Sequence, residues 1–289
     1  MKPEKACILV TGSNGQLGSE IKELSGNFPQ FEFIFTDRDD LSISDEAAVQ
    51  NVFEQYQPAF CINCAAYTAV DKAEDALAFN IVNAINAEAV GYLAKACTQY
   101  NARLVHVSTD YVFDGEGTEP YKETDATHPV SIYGKTKLKG EELALQFTEA
   151  VIIRTAWVYS AFGKNFVKTM MRLMAEKSQI NVVSDQYGTP TYAADLAAAI
   201  LQIISSGKWV TGIYHYTNEG QISWYDFAVA IKELIGSSCE VHAIPTIQYP
   251  TPAKRPAWSV LDKTKINQTY AVAIPHWKDS LQACIKKLA

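Results

Sequence analysis

Apolar runs alternate with longer stretches of helical periodicity through the first half of the chain. "ACILVTG" precedes a helical pattern from Gln16, "FEFIFTD" precedes "SDEAAVQNVFEQY", and "AFCINCAA" precedes the stretch from Asp75 to Tyr100. "RLVHVSTD" is followed by a helical segment from Ser131 to Gln146, and "AVIIRTAWVY" supplies another strand. Strand and helix in alternation make right-handed βαβ units about a parallel sheet. The expected fold is therefore α/β, a Rossmann-type doubly wound parallel sheet. Beyond Trp157 the pattern is less regular: helices over Asn165 to Lys177, Tyr192 to Ser206 and Ser223 to Ile235, strands at "INVV" and "GIYHYT", and a proline-rich loop, "IPTIQYPTPAKRP". This predicts a nucleotide-binding domain over 1–157, and a smaller, discontinuous α/β substrate domain over 158–289. "TYAADLAAAILQII", within 190–207, is expected to return to the sheet.

Composition narrows the class. The chain has 289 residues, 48% hydrophobic and 20% charged, with a net charge of -7, which argues against a general nucleic-acid binder. No apolar run approaches the ~20 residues of a membrane span. The start, "MKPEKACILVTG", runs into a strand without a small-residue cleavage site, so a cytoplasmic protein is expected. The cysteines are scattered. Cys61 and Cys64 alone have C-x-x-C spacing, but in a strand residues three apart face opposite sides, so both are expected as small buried hydrophobes.

Three strand ends carry candidate chemistry. "LVTGSNGQLGSE" sets Gly12, Gly15 and Gly18 directly after the first strand, where glycines permit a tight turn and close approach of backbone to a pyrophosphate. Asp37 ends the second strand, placed to take a ribose hydroxyl, while Arg38 beside it suits a 2′-phosphate. The expected cofactor is a nicotinamide dinucleotide, NADH or NADPH. Ala65 and Ala66, in "NCAAYTAVDKAED", let a cofactor lie against backbone; Tyr67 and Thr68 follow them. Ser108, Thr109 and Asp110 close the fourth strand. In "SIYGKTK", Tyr133 and Lys137 lie one helical turn apart on one face. A hydroxyl at Thr109 would bind a carbonyl oxygen, Tyr133 would protonate it, and Lys137 would lower the phenol pKa and hold the nicotinamide ribose.

Together "TGSNGQLG", "NCAAYTAVDKAE", "STDYVFDG", "YGKTK", "RTAWVY", "NFVKTMMRL", "DQYGTPT" and "YPTPAKRP" resemble the dTDP-4-dehydrorhamnose reductase family of extended short-chain dehydrogenase/reductases over nearly the full length. The resemblance implies reduction of the 4-keto group of dTDP-4-dehydro-L-rhamnose by NADPH or NADH, the last step of dTDP-L-rhamnose synthesis, by a monomer or homodimer. It implies Tyr133 as proton donor with Lys137 as partner, and Thr109 and Asp110 as sugar contacts. Trp157 and Asn165 fall on the substrate side, and Arg255 near the nucleotide diphosphate. On the cofactor side stand Asn14, Gln16 and Leu17 within the glycine loop, Asp40 and Leu41 after Asp37, and Val107. Some relatives bridge subunits through magnesium; Glu20 matches one such position, but the other is Ala194, so no metal ligand is expected. Sugar-nucleotide dehydratases that share the fold carry Thr-Asp-Glu where this chain has Tyr111 third. Another sugar-nucleotide reductase or an epimerase is the other catalytic alternative. A non-catalytic regulatory subunit, similar to that of methionine adenosyltransferase, is the alternative from a different class.

Overall fold

The central sheet has six strands, all parallel: β1 (Ala6–Thr11), β2 (Phe31–Thr36), β3 (Phe60–Asn63), β4 (Arg103–Thr109), β5 (Val151–Thr155) and an edge strand, Gly212–His215. This computed structural model describes residues 5–288; residues 1–4, part of the N-terminal stretch considered above for targeting, and Ala289 lie outside the described residues. The spatial order is β2-β1-β3-β4-β5-edge, so the winding reverses between β1 and β3. The carboxyl ends of those two strands flank the crevice where such sheets take ligands.

Alternate residues of each strand face opposite sides. Ile8 and Val10 pack with Ile21 of α1 (Gln16–Leu24) and Ile200 of the helix Ala193–Ser205 on one face. Leu9 packs with Phe53 of α2 (Glu46–Tyr56), Leu93 of the helix Ala89–Gln99 and Ala144 of the helix Ile132–Phe147 on the other. Each of these buried side chains other than Ala144 contributes about 1.5–3 kcal/mol. The two layers thereby hold the strand ends on which the crevice is built. Cys61 and Cys64, both free thiols, fall on these opposite faces.

One region departs from its periodicity. Instead of a single helix from Asp75 to Tyr100, the chain makes a helical turn at Val70–Ala73, a loop, the helix Phe79–Asn83, one π-helical turn at Ala84–Glu88, and the helix Ala89–Gln99. Asp75 diverts the backbone by accepting the Leu77 N–H at 2.9 Å, a local bond that competes with helix. Within the wide turn sits Asn86. Its amide pairs with the Tyr67 N–H (2.8 Å), the Tyr67 carbonyl (3.1 Å) and Thr136 Oγ1 (3.3 Å), pinning the loop after β3 to the helix Ile132–Phe147.

The later chain interleaves with this body. The helix Ala193–Ser205 and the edge strand lie with the sheet, as do Ile266 and Tyr270 of the helix Thr264–Tyr270. Helices Phe166–Glu176, Trp224–Ile235 and Trp277–Leu288 form a second core with the parallel pair Gln179–Val183 and Glu240–Ile244. The helix from Trp224 begins at a reciprocal cap between Ser223 and Asp226.

Candidate active site

The glycine loop is shaped by close approach. Gly12 has φ of +65°, and a Cβ there would lie 2.7 Å from the Ala65 backbone; one at Gly18 would lie 2.4 Å from the Gly12 carbonyl oxygen. Side chains are excluded at both positions. The Gly15 N–H donates to the Gly12 carbonyl at 3.1 Å just ahead of α1, whose N-terminal N–H groups face the crevice. Asp37 joins this loop to β2: Oδ2 accepts from the Asn14 N–H and Oδ1 from the Arg38 N–H, each at 2.7 Å, and the Asp37 N–H donates to Asp40 Oδ2 at 3.1 Å. Arg38 is exposed, and Ala65, Ala66 and Tyr67 are half-buried. Leu17 and Leu41 point into the two apolar layers, which leaves their backbone alone for contact with a ligand.

A cleft of ≈ 1000 Å³ is lined by Gln16, Thr109, Asp110, Tyr133, Trp157, Asn165 and Arg255 among others. At the end of β4, Thr109 Oγ1 donates to Asp110 Oδ1 at 2.8 Å and accepts the Tyr111 N–H at 3.2 Å. Asp110 Oδ2 is buried without a partner, and burial pushes the carboxyl up to about 7 against the pull of the Thr109 hydroxyl. A carboxyl raised on folding binds its proton more tightly in the native state. Its contribution is therefore full below the ordinary value of 3.8 and is lost as pH rises toward about 7. Asp110→Asn keeps an acceptor for Thr109 and has no charge to bury. Its Tm relative to wild type is expected to rise between pH 4 and pH 8; a pH-independent difference would contradict the burial account.

Ser131 starts the helix Ile132–Phe147 by accepting the Gly134 N–H at 3.0 Å, which places Tyr133 and Lys137 on the face toward β4. A Cβ at Gly134 would lie 2.2 Å from the Tyr111 carbonyl oxygen, so glycine is what allows the helix this close. Lys137 is 2% exposed; its Nζ donates to the Val107 carbonyl at 2.7 Å and lies 3.4 Å from His106 Nε2. Burial lowers it to about 8, opposed by Glu141. The expectation that Lys137 pulls the phenol down is corrected here. Burial drives Tyr133 well above the ordinary phenol range, the Thr109 hydroxyl is the group that opposes it, and the ammonium is turned to Val107. The phenol thus keeps its proton through neutral pH, the form a proton donor needs.

Opposite this pair, Trp157 has φ of +50°, a strained geometry for a bulky residue, and stacks on Trp224 at 3.5 Å with planes 11° apart. Trp224 also lines the cleft. Asn165 caps the helix Phe166–Glu176 by accepting the Lys168 N–H at 3.1 Å, and its amide nitrogen donates to Gln16 Oε1 at 3.0 Å and to the Ser160 carbonyl at 2.7 Å. It ties the two bodies together beside the glycine loop. Arg255, 24% exposed, donates to Asp71 Oδ2 at 2.5 Å and to the Tyr111 hydroxyl at 3.4 Å.

Sequence reasoning passed over Trp224, Asp71 and the buried pair Glu141 and Arg154. Arg154 Nη2 meets Glu141 Oε2 at 2.7 Å, and the Ser108 hydroxyl donates to Glu141 Oε1 at 2.5 Å while Ser108 stays on the cleft lining. The one available signal was Arg154, a charged residue inside the otherwise apolar run of β5. Glu20, at the position considered for a metal, accepts from Ser160 at 2.6 Å and from Lys287 at 3.0 Å. Ala194 packs in the second core. Among the described residues there is no cluster of three or more metal-ligating side chains, and no helix is long and apolar enough to cross a membrane.

Known proteins resemble this chain over nearly its whole length. The family described as "RmlD substrate binding domain" matches residues 6–289. A dTDP-4-dehydrorhamnose reductase of Aggregatibacter actinomycetemcomitans is 42% identical over 288 residues, covering 96% of this chain and 97% of the relative. The crystal structure of a Clostridium acetobutylicum dTDP-4-dehydrorhamnose reductase superposes with TM-score 0.93 at 44% identity, covering 98% and 99% of the two chains. The Bacillus anthracis enzyme of that name, in complex with NADP, superposes with TM-score 0.94 at 35% identity, covering 98% and 100%.

Proposed function

Because this chain belongs to the RmlD substrate binding domain family, among the dTDP-4-dehydrorhamnose reductases, we infer that it reduces the 4-keto group of dTDP-4-dehydro-L-rhamnose with NAD(P)H to give dTDP-L-rhamnose. The observation that carries the reading is the presence of Thr109 and Tyr133 on the lining of a cleft that reaches the glycine loop through Gln16, with Lys137 buried one helical turn beyond Tyr133. Gly12 and Gly18, where a Cβ would strike the neighbouring backbone, allow the tight loop before α1 that fits a dinucleotide pyrophosphate. A reduced nicotinamide bound there supplies the hydride. Thr109 orients the sugar carbonyl, and Tyr133 gives its proton to the carbonyl oxygen as the charge develops. Lys137, its ammonium turned to Val107, is left to hold the nicotinamide ribose. Asp110 and Trp157 hold the sugar, and Arg255 meets the diphosphate. This reading places the enzyme in the cytoplasm, as a monomer or homodimer, with the substrate domain drawn mainly from the chain after Trp157. Oxidation of NADH or NADPH by purified protein on addition of the keto sugar tests it; no oxidation with either would end it.

Two quantitative expectations follow from the same groups. Asp37 repels a 2′-phosphate while Arg38 attracts it, so NADH and NADPH should differ in kcat/KM by about tenfold or less, or ~1.4 kcal/mol. A preference beyond about a hundredfold would mean that one of the two side chains does not face the ribose. Arg255→Ala should raise the sugar-nucleotide KM by about tenfold or more, the scale of a charge-assisted bond of ~1.5–3 kcal/mol, with kcat and the NADPH KM nearly unchanged. An unaltered sugar-nucleotide KM would move the diphosphate elsewhere.

A further inference from the structure

His106 lies in β4, fully buried, with one ring nitrogen facing an amide and the other an ammonium. Nδ1 is 3.0 Å from Asn63 Nδ2, and Nε2 is 3.4 Å from Lys137 Nζ. The Asn63 amide has no freedom to turn. Its Oδ1 accepts the Thr11 hydroxyl at 2.7 Å and the Ala65 backbone N–H at 3.2 Å. A backbone N–H only donates, so the amide oxygen must face Ala65 and the NH₂ must face His106. Nδ1 is then an acceptor, and the proton of the neutral ring sits on Nε2, aimed at Lys137. Burial, aided by the Lys137 charge, keeps the ring neutral by holding its pKa well below the usual imidazole value.

An N–H directed at an ammonium sets donor against donor. The contact is relieved when Lys137 turns its own protons to the Val107 carbonyl, 2.7 Å away, or gives one up and accepts from Nε2. We propose that His106, locked by Asn63 in its Nε2–H form, is a positioning residue that directs the Lys137 ammonium to Val107 and sets the alkaline end of the enzyme's working pH range. The proposal rests on the reductase reading for the role of Lys137. The other groups facing Lys137 are Glu141, one turn along the same helix and itself paired with Arg154 of β5, and Cys64 beyond β3, whose thiol burial keeps protonated. Asp110 and Tyr111 face the Tyr133 phenol instead. No competing acceptor for Nε2 arises from these.

Two measurements on the full chain test this. Long-range ¹H–¹⁵N spectra of the wild-type protein read the tautomer directly: the Nε2–H form of His106 is expected, and the Nδ1–H form would overturn the proposal. In His106→Gln, an amide free to turn its oxygen toward the ammonium replaces a locked donor. The alkaline limb of the kcat–pH profile should move up by about one pH unit, while the keto-sugar KM stays within about twofold. A lower kcat with the limb unmoved would reduce His106 to a packing residue and overturn it. The spectrum needs no turnover, so a failure of the reductase reading would leave the tautomer result standing and remain distinguishable from a failure of the lock.

Discussion

Tyr133→Phe is expected to lower kcat for keto-sugar reduction by about 10² or more, the scale of losing a positioned general acid, while leaving NADPH binding nearly intact. The variant isolates chemistry because it removes one oxygen and little else. The Tyr133 ring packs edge-on against Tyr111 at 5.5 Å and joins the small cluster of Ala73 and Val82, contacts a phenylalanine retains. Thr109 keeps its bonds to Asp110 and to the Tyr111 N–H, and Lys137 keeps its bond to Val107. The loss should therefore appear in kcat, with fluorescence titration of NADPH nearly unaltered. Turnover at the wild-type rate would remove Tyr133 from the proton path, and Asp110, with its carboxyl up at about 7, would be the next acid to test.

The largest expected loss of stability comes from Arg154→Met. Arg154 and Glu141 are each 2% exposed, and the guanidinium holds both carboxylate oxygens, Nε at 3.0 and 3.2 Å and Nη2 at 2.7 Å. It also lies 5.1 Å above the Phe113 ring. Removing it leaves a buried carboxylate with the Ser108 hydroxyl alone, a change that costs about 3–5 kcal/mol. Urea denaturation should show this as a lower midpoint with little change in slope. Replacing both members, Arg154→Met with Glu141→Leu, should recover most of the loss, because no charge is then stranded. A single variant within about 1 kcal/mol of wild type would mean the pair is hydrated in solution.

The alternation of apolar runs with helical periodicity was enough to read the parallel sheet, since strands buried on both faces leave a continuous apolar signal. The placement of Gly12, Gly18, Thr109, Tyr133 and Lys137 was legible because each lies at a strand end or near a helix start, at a spacing set by backbone geometry. What escaped was long-range. Trp224 meets Trp157, and Asp71 meets Arg255, only after the second body folds over the sheet, and no local pattern encodes either contact. The break between Asp75 and Phe79 escaped because an apolar periodicity persists across a turn that Asp75 makes with its own side chain. The edge strand Gly212–His215 looked like part of the later chain and joins β5 through register rather than nearness in sequence. The pull of Lys137 on the phenol was misjudged because spacing says nothing of burial, and burial dominates both groups.

The central claim is that hydride from a nicotinamide cofactor reaches the keto carbon while Tyr133 protonates its oxygen. Incubation of the purified protein with dTDP-4-dehydro-L-rhamnose and NADPH deuterated at the transferring position of nicotinamide C4 tests it most directly. The expected product is dTDP-L-rhamnose carrying deuterium at sugar C4, one per NADPH consumed, formed at a rate that collapses in Tyr133→Phe. Product without deuterium at that carbon, or no consumption of NADPH in the presence of the keto sugar, would contradict it.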